Sequence, residues 1–429
     1  MVRIIEADGK KEYLFIKGLE ERSRETNEQV TAQVREIIEN VRLHGDGAVL
    51  EYTQKFDKKQ TSLKPIERQE LEKIADKCEP KLRKALENAA LNIAAFHSRQ
   101  MENQRGFVTR ENGVILGQRV RGLHRVGIYV PGGTAAYPST VLMNAIPAHV
   151  AGVKEIIMVT PPAGDGEFNA AVMTAAHIAG VSRVYLCGGA QAVAALAFGT
   201  ESIPKVDKIV GPGNIYVATA KKLLFGTVDI DMIAGPSEIL ILADDTANPT
   251  YIAADMMSQA EHDPLASSTL VTTSRAVAEQ TVLEIERQIQ KLSRREIIAR
   301  SLKDYGSIIV CTDIDKAVEL VNLLAPEHLE VLCENPMDYL SLLDNAGSVF
   351  LGEYSPEPLG DYYAGPNHVL PTGGTARFFS PLSVASFLKK SSFISYTRDA
   401  LKSAREDILA IADSEGLDAH ANSIKVRFS

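Results

Sequence analysis

Apolar residues in the first hundred positions recur at the spacing of an α-helix. One helix face is formed by positions that repeat every three or four residues: Val30, Val34, Ile37, Ile38 and Val41. Gly45-Asp46-Gly47 ends this pattern, because glycine favours conformations outside the helix. A further helix is predicted to begin at Pro80, since proline is well tolerated in the first turn. Residues 1–120 are therefore predicted to form a mostly helical N-terminal segment.

Beyond this segment, short β-rich runs alternate with helical stretches, which is the pattern of βαβ units on a parallel sheet. The first series comprises residues 126–130, 155–160, 183–187, 208–210 and 238–242. The second series comprises residues 268–272, 306–311, 329–333 and 347–351. The sequence thus predicts an α/β fold with two Rossmann-like domains side by side, each built on a parallel sheet.

The turn Gly235-Pro236-Ser237 interrupts this alternation and marks a seam between the two domains. We place the first Rossmann-like domain at residues 121–236 and the second at residues 237–380. After Pro381 the β signal fades, and residues 400–411 have the pattern of an exposed amphipathic helix. Residues 381–429 are therefore predicted to be a small C-terminal helical appendage, which must dock because it cannot bury a core of its own.

The charge balance argues against nucleic-acid and membrane partners. The 429 residues include 46 Lys and Arg against 55 Asp and Glu, a formal net charge of −9, without a long basic block. Charged residues occur too early for a signal peptide, and no apolar run approaches the ~20 residues of a membrane span. Small-molecule partners and a cytoplasmic location are expected. The cysteines are too scattered for a disulfide framework or a thiolate zinc site: Cys78, Cys187, Cys311 and Cys333.

A candidate metal pair lies on a helix that is predicted to begin at Asn248-Pro249 and to end at Pro264. Gln259 and His262 are three residues apart, so both side chains lie on one helix face and could reach a single ion. Taken alone, such a pair is more often a solvated helix edge than a metal site. Two more ligands are needed for a zinc site.

Candidates for those two ligands are Asp361 and His420. Asp361 follows a predicted strand in a Gly- and Pro-rich loop, and loops at the carboxyl ends of parallel strands are where such sheets bind ligands. His420 lies near the C-terminus, and these residues alone favour an exposed histidine without a functional role.

Glu327 and His328 join a predicted helix to a predicted strand. Histidine titrates near neutrality and an adjacent carboxylate polarises water, so the pair is a candidate acid/base couple. Neighbouring residues on an extended chain point to opposite sides. The two side chains can therefore serve one atom only if the turn bends them together, and a purely structural role is the alternative.

Glycine-rich turns follow three of the predicted strands, at residues 126–133, 188–191 and 211–214. Glycine lets backbone amides approach a phosphate or a ribose closely. None of these turns completes the Gly-x-Gly-x-x-Gly fingerprint of dinucleotide-binding domains, so tight strand-to-helix turns without a ligand remain an alternative.

Taken together, six blocks of the chain resemble the histidinol dehydrogenase family. In chain order they are Gly127-Ile128-Tyr129-Val130-Pro131-Gly132-Gly133, Gly211-Pro212-Gly213-Asn214, Ala234-Gly235-Pro236-Ser237-Glu238, Gln259-Ala260-Glu261-His262-Asp263, Ala325-Pro326-Glu327-His328-Leu329 and Asn367-His368-Val369-Leu370-Pro371-Thr372. They span nearly the whole chain, which makes them far more specific than any single motif.

The resemblance implies a homodimer with shared active sites that oxidises L-histidinol through L-histidinaldehyde to L-histidine, with two NAD⁺, in histidine biosynthesis. It implies one zinc ion per subunit, held by Gln259, His262, Asp361 and His420. It implies acid/base roles for Glu327 and His328 and NAD contacts from Tyr129, Gln191 and Asn214. The implied substrate contacts are Ser237, Gln259, His262, His328, Asp361, His368, Glu415 and His420.

Three other functions compete with this interpretation. A related dehydrogenase for a different alcohol would lack contacts for an imidazole and an amine, which His368, Glu415 and His420 are expected to supply. A zinc hydrolase would also use a metal, a carboxylate and a histidine, but it would leave the glycine turns without a role. A structural zinc protein is disfavoured because closed structural sites are dominated by cysteine.

Overall fold

The computed structural model describes residues 2–24, 28–58, 61–132, 137–163 and 168–429. The strands in these ranges are β1 Arg3–Glu6, β2 Ile66–Glu67, β3 Phe107–Glu111, β4 Val114–Gly122, β5 Arg125–Tyr129, β6 Glu155–Thr160, β7 Arg183–Leu186, β8 Lys208–Val210, β9 Asp229–Ile230, β10 Glu238–Ala243, β11 Ser267–Thr272, β12 Ser307–Val310, β13 His328–Leu332, β14 Ser348–Leu351 and β15 Leu388–Tyr396. The helices are α1 Lys11–Arg24, α2 Glu28–Asp57, α3 Arg68–Ala75, α4 Pro80–Glu102, α5 Pro138–Val150, α6 Ala170–Ile178, α7 Gly189–Phe198, α8 Ile215–Leu224, α9 Pro249–Ala260, α10 Arg275–Gln288, α11 Arg295–Tyr305, α12 Ile314–Leu324, α13 Glu357–Tyr362, α14 Arg398–Ser414 and α15 Asp418–Lys425.

Two six-stranded sheets confirm the predicted pair of Rossmann-like layers. The first has the strand order β2-β7-β6-β5-β8-β9, and the second has the order β1-β12-β11-β10-β13-β14. All neighbouring strands are parallel except β2, which pairs antiparallel with β7. All nine strands predicted from the alternating pattern are present, with ends that agree within a residue or two.

These strands are readable from sequence because both of their faces are buried. In β10 every residue is buried, with Ile239 and Ile241 in one apolar cluster and Leu240 and Leu242 in another on the opposite face. A central parallel strand covered by helices on both sides therefore appears as a continuous apolar run. Burial of each such aliphatic side chain contributes about 1.5–3 kcal/mol.

The N-terminal segment is mostly helical, as predicted, but its first residues belong to the second sheet, and β3 and β4 near its end were not predicted. Strand β1 pairs in parallel with β12, and α1 packs over it through Phe15 and Ile16. A four-residue edge strand with charged ends offers too few apolar positions to show a period. Gly45 interrupts α2 with φ 53° and ψ −130°, so the predicted break is present, although the helix resumes immediately beyond it.

The C-terminal appendage contains a strand that the sequence pattern did not reveal. Leu388–Tyr396 forms β15, which pairs antiparallel with β4 in a three-stranded sheet completed by β3. The residues of β15 are mainly exposed, so they lack the apolar run by which the other strands were recognised. The helical part of the appendage consequently begins at Arg398, where α14 starts.

A buried ion pair holds the glycine turn after β8. Lys221 of α8 pairs with Asp231, and both side chains are almost completely buried. The Lys221 ammonium also donates to the carbonyl oxygen of Gly211 at 2.9 Å, and the Asp231 carboxylate accepts from the Gly211 amide at 2.8 Å. Gly211 has φ 108°, a conformation that glycine adopts without strain. The turn is therefore fixed from both sides.

No helix in the described ranges is long and apolar enough to cross a lipid bilayer.

Candidate functional site

Glu327 and His328 are held by the backbone of a single residue, Glu238. The amide of Glu238 donates to Glu327 Oε2 at 2.9 Å, and His328 Nδ1 lies 3.0 Å from the carbonyl oxygen of Glu238. Ala325 adopts a left-handed conformation with φ 47° at the end of α12, which bends the chain just before the pair. As a result Glu327 Oε2 lies 3.7 Å from His328 Nδ1. The structure therefore contains the bend that is needed to bring the two side chains together, which the sequence alone did not establish.

This geometry fixes the protonation of the His328 ring. A carbonyl oxygen only accepts hydrogen bonds, so Nδ1 carries the proton and Nε2 keeps its lone pair. Nε2 is buried without a hydrogen-bond partner among the described residues and lies 3.9 Å from Asp361 Oδ1. Burial lowers the pKa of His328 to about 4 and raises the pKa of Glu327 well above its usual value. Burial therefore favours the uncharged forms of both side chains.

Two carboxyl groups of α13 complete the polar centre around His328. One ligand atom from each of His328, Glu357 and Asp361 lies within 4.8 Å of the others. Burial raises the pKa of Asp361 to about 6, and burial together with the neighbouring Asp361 raises that of Glu357 to about 8. His368 Nδ1 lies 3.1 Å from the carbonyl oxygen of Asp361, and burial lowers the pKa of His368 to about 4. Such a concentration of shifted groups is typical of functional sites.

Sequence reasoning did not identify Glu357. Its signal was available in its spacing, because Glu357 precedes Asp361 by four residues and the two therefore share one face of a helix that opens after Pro356. Glu330, two residues after His328 on β13, was also missed. Its side chain is fully buried and accepts a hydrogen bond from the Glu357 amide at 2.7 Å. The period of two along a strand places Glu330 on the same face as His328.

The end of α9 reaches the same centre. Asn248 caps this helix by accepting from the Thr250 amide, as predicted, but the helix ends at Ala260 rather than at Pro264. Gln259 is fully buried, and its side-chain oxygen and nitrogen both lack a hydrogen-bond partner in the described part of the chain. His262 lies just beyond the helix. It is close enough to lower the pKa of Glu357 electrostatically, although this effect is smaller than those of burial and of Asp361, which raise that pKa.

The centre lies at the amino-terminal edge of the second sheet. His328 and Glu238 are the first residues of β13 and β10, and Ser237 directly precedes the latter. The expectation that Asp361 lies at a carboxyl edge is therefore wrong. Helix α13 follows β14 but runs back toward the amino ends of the strands. Its first residue, Glu357, contacts Glu330 within β13, whereas Asp361, one turn later, lies beside His328 at the start of β13.

Two of the predicted site residues are not brought to this centre within the chain. Glu415 and His420 are both exposed, and neither side chain makes a hydrogen bond or ion pair with any described residue. Helix α15, which carries His420, packs against α14 through a small cluster of Leu409, Ala412 and Ala421. The appendage thus presents these two polar side chains to its surroundings.

A cavity of about 230 Å³ opens beside the polar centre. It is lined by the polar side chains His328, Asp361 and His368 together with apolar groups such as Phe350 and Leu359. A few convergent polar groups in an apolar enclosure are typical of a site for a small molecule.

A second cavity, of about 790 Å³, lies at the first sheet. Tyr129, Gln191 and Asn214 all line it, so the structure brings the three predicted cofactor contacts together. It opens at the carboxyl ends of β5 and β8, where the strand order reverses, which is where such sheets bind ligands. The Tyr129 hydroxyl accepts from the Gly189 amide at 3.1 Å, and Asn214 caps α8. Gly133, the last residue of the first glycine turn, lies outside the described residues.

The fold and the two cavities are those of an α/β enzyme, with one cavity at the switch point of the first sheet and a buried polar centre beside the other cavity on the second sheet. The histidinol dehydrogenase family model matches residues 20–428. A histidinol dehydrogenase from Clostridium acetobutylicum is 55% identical, with all of this chain and 99% of that protein covered. One from Listeria monocytogenes is also 55% identical, with 93% of each chain covered.

The similarity extends to a solved structure. The crystal structure of histidinol dehydrogenase from Elizabethkingia anophelis has a TM-score of 0.92 and 38% identity to this chain, covering 99% of this chain and 98% of the other. The chain belongs to the histidinol dehydrogenase family, and it is therefore an oxidoreductase. The resemblance carried by the six sequence blocks is confirmed.

Glu357→Gln should reduce the pH dependence of stability in the metal-free protein. The pKa of Glu357 is about 8 in the folded chain and near 4.5 when unfolded. Folding therefore binds a proton between these values, and stability falls as pH rises through this window. The free energy of unfolding of the variant should therefore fall less steeply with pH, by up to about 1.4 kcal/mol per pH unit. Denaturant unfolding in chelator from pH 5 to 8 measures it. The exposed Glu353→Gln is the matched control, and identical slopes in all three proteins would contradict the buried, protonated Glu357.

Proposed function

We propose that this protein oxidises L-histidinol through L-histidinaldehyde to L-histidine, using two NAD⁺ and one zinc ion per subunit, as a cytoplasmic enzyme of histidine biosynthesis. The observation that carries the proposal is the neutral, buried His328, whose unpartnered Nε2 adjoins Asp361 at a cavity of small-molecule size. The names of the similar proteins supply the substrate.

The residues around Asp361 fit a zinc ion. Gln259 buries both of its polar side-chain atoms without a partner, which is costly unless a ligand or ion compensates. Amide oxygen, carboxylate and imidazole are all donors that zinc accepts. Gln259, His262 and Asp361 would hold the ion together with His420. When bound, the ion would orient the imidazole and amine of the substrate as a template.

The large cavity at the first sheet fits NAD⁺. Two ten-residue helices, α7 and α8, begin beside it with Gly189 and with the Asn214 cap, and helix N-termini favour phosphate groups. Gln191 contributes a buried side-chain oxygen that lacks a partner among the described residues, which suits a donor on the cofactor. When bound, the cofactor would supply the acceptor for the hydride that is removed from the substrate carbon.

His328 and Glu327 divide the proton transfers of the two oxidations. His328 Nε2 accepts the proton of the substrate hydroxyl, because its partner Nδ1 is already protonated toward Glu238. Once ionised, Glu327 then takes a proton from the water that adds to the aldehyde, and because its pKa is raised this carboxylate is a stronger base than an ordinary one. That water supplies the second oxygen of the product carboxylate. His368, which lines the cavity, and Ser237 beside Glu238 contact the substrate.

The homodimer completes each site with Glu415 and His420 of the neighbouring subunit. Both residues are exposed and without side-chain hydrogen bonds to the described chain, so they are available to a second copy. Their surroundings also include exposed apolar side chains, among them Ile411 and Val426, which are 61% and 54% exposed. Such apolar exposure is typical of a surface that another subunit covers.

Purified protein should form two NADH for each histidinol consumed, since an alcohol must lose four electrons to become an acid. Chelation should abolish the activity and Zn²⁺ should restore it, because substrate placement depends on the ion. NADH absorbance with a limiting amount of histidinol measures the ratio. One NADH per histidinol, or full activity after verified metal removal, would refute the proposal.

Subunits that carry His262→Asn and His420→Asn should complement each other. If His420 acts across the dimer, each hybrid contains one intact site and one doubly altered site, and random reassortment returns roughly a quarter of wild-type activity. Each variant alone should be inactive. Hybrids are formed by reversible dissociation and verified by native mass spectrometry. Verified hybrids without restored activity would show that His420 does not act across the dimer.

A further inference from the structure

The cavity at the first sheet has a second wall that the predicted contacts do not explain. This wall is formed by α2, and its lining includes Gln33, Glu36, Tyr52, Lys55, Phe56 and Asp57. The Tyr52 and Phe56 rings stack with centroids 5.7 Å apart, and the Tyr52 hydroxyl accepts from Asn40 Nδ2 at 3.2 Å. The wall therefore carries a stacked aromatic pair, and its last residue is an acid.

Asp57 occupies an unfavourable position for a carboxylate. It is the last residue of α2, and the C-terminus of a helix disfavours negative charge. Its Oδ2 atom is buried and has no hydrogen-bond partner among the described residues, and burial raises its pKa. A carboxylate in this position therefore destabilises the fold. Its presence is explained if a ligand supplies the missing hydrogen-bond donors.

The charged neighbours do not supply those donors. The Lys55 ammonium lies 5.5 Å from the centroid of the Phe56 ring, and no ion pair joins it to Asp57 in the described structure. Glu36, the other acid of the lining, adds a further negative charge. The described lining contains no arginine, which is the residue that usually accommodates a 2′-phosphate on an adenosine ribose.

We propose that Asp57 is the residue that selects the cofactor: its carboxylate accepts hydrogen bonds from the vicinal hydroxyls of a ribose and rejects a dinucleotide that carries a 2′-phosphate. This inference rests on the proposed use of NAD⁺. In many dinucleotide-binding domains an acid about 20 residues after the glycine turn performs this task. In this chain the acid comes from a helix that precedes the whole sheet in sequence.

Asp57→Asn tests this inference directly, with Glu51→Gln as the matched control, because Glu51 is an exposed acid of the same helix outside the cavity lining. Calorimetry should show the Kd for NAD⁺ rising about 10- to 100-fold, since a charged acceptor with two oxygens is replaced by a neutral amide with one. NADP⁺ binding should stay the same or improve. The KM for NAD⁺ should rise with little change in kcat at saturation, and the control should match the wild type.

The outcomes separate this inference from the function on which it rests. Suppose that the wild type reduces NAD⁺ with histidinol. If Asp57→Asn then weakens the binding of NAD⁺ and NADP⁺ equally, or changes the binding of neither, the assignment of Asp57 is wrong. If the wild type neither binds nor reduces NAD⁺, the proposed function and the inference both fail. Thermal unfolding verifies that the variant is folded, and Asp57→Ser, which also removes the charge, provides the same comparison if it is not.

Discussion

The hydrogen bond between His328 Nδ1 and the carbonyl oxygen of Glu238, 3.0 Å long, is the constraint on which the polar centre around His328 depends. It joins the first residues of two neighbouring parallel strands, and it leaves Nε2 as the nitrogen with a lone pair. The Glu238 amide holds Glu327 in the same way, so the register of β10 and β13 places both groups. A change at either strand end would move Glu327 and His328, the proposed acid/base residues, together.

The two halves of the chain are joined near this centre by one loop. Asn367, adjacent to the cavity residue His368, donates to the Met143 carbonyl of α5 at 2.6 Å. Thr372 accepts through its hydroxyl from the Gly235 amide, also at 2.6 Å. The seam predicted at residues 235–237 is therefore tied to the loop that carries His368, a proposed substrate contact. These hydrogen bonds connect the first sheet, with its large cavity, to the polar centre on the second.

The local sequence pattern predicts much of the fold, and the features that it does not predict share one cause. The buried parallel strands and the cap of α9 at Asn248 were predictable because each depends on neighbouring residues. Tyr129, Gln191 and Asn214 were grouped only through the family resemblance. The exposed strand β15, the position of Asp361 at an amino edge and the contact of Glu357 with Asp361 depend on pairing and helix direction across the chain. Asp57 was missed for the same reason, since its helix precedes the sheet whose cavity it lines.

The state of the His328 ring is the most direct test of the central claim. Nitrogen-15 NMR of histidine-labelled, metal-free protein reports which ring nitrogen carries a proton, and the signal missing from His328→Asn assigns the residue. Between pH 5 and 8 we expect a neutral ring with the proton on Nδ1, because Glu238 accepts that proton and burial lowers the pKa to about 4. A proton on Nε2, or a charged ring at neutral pH, would contradict the account.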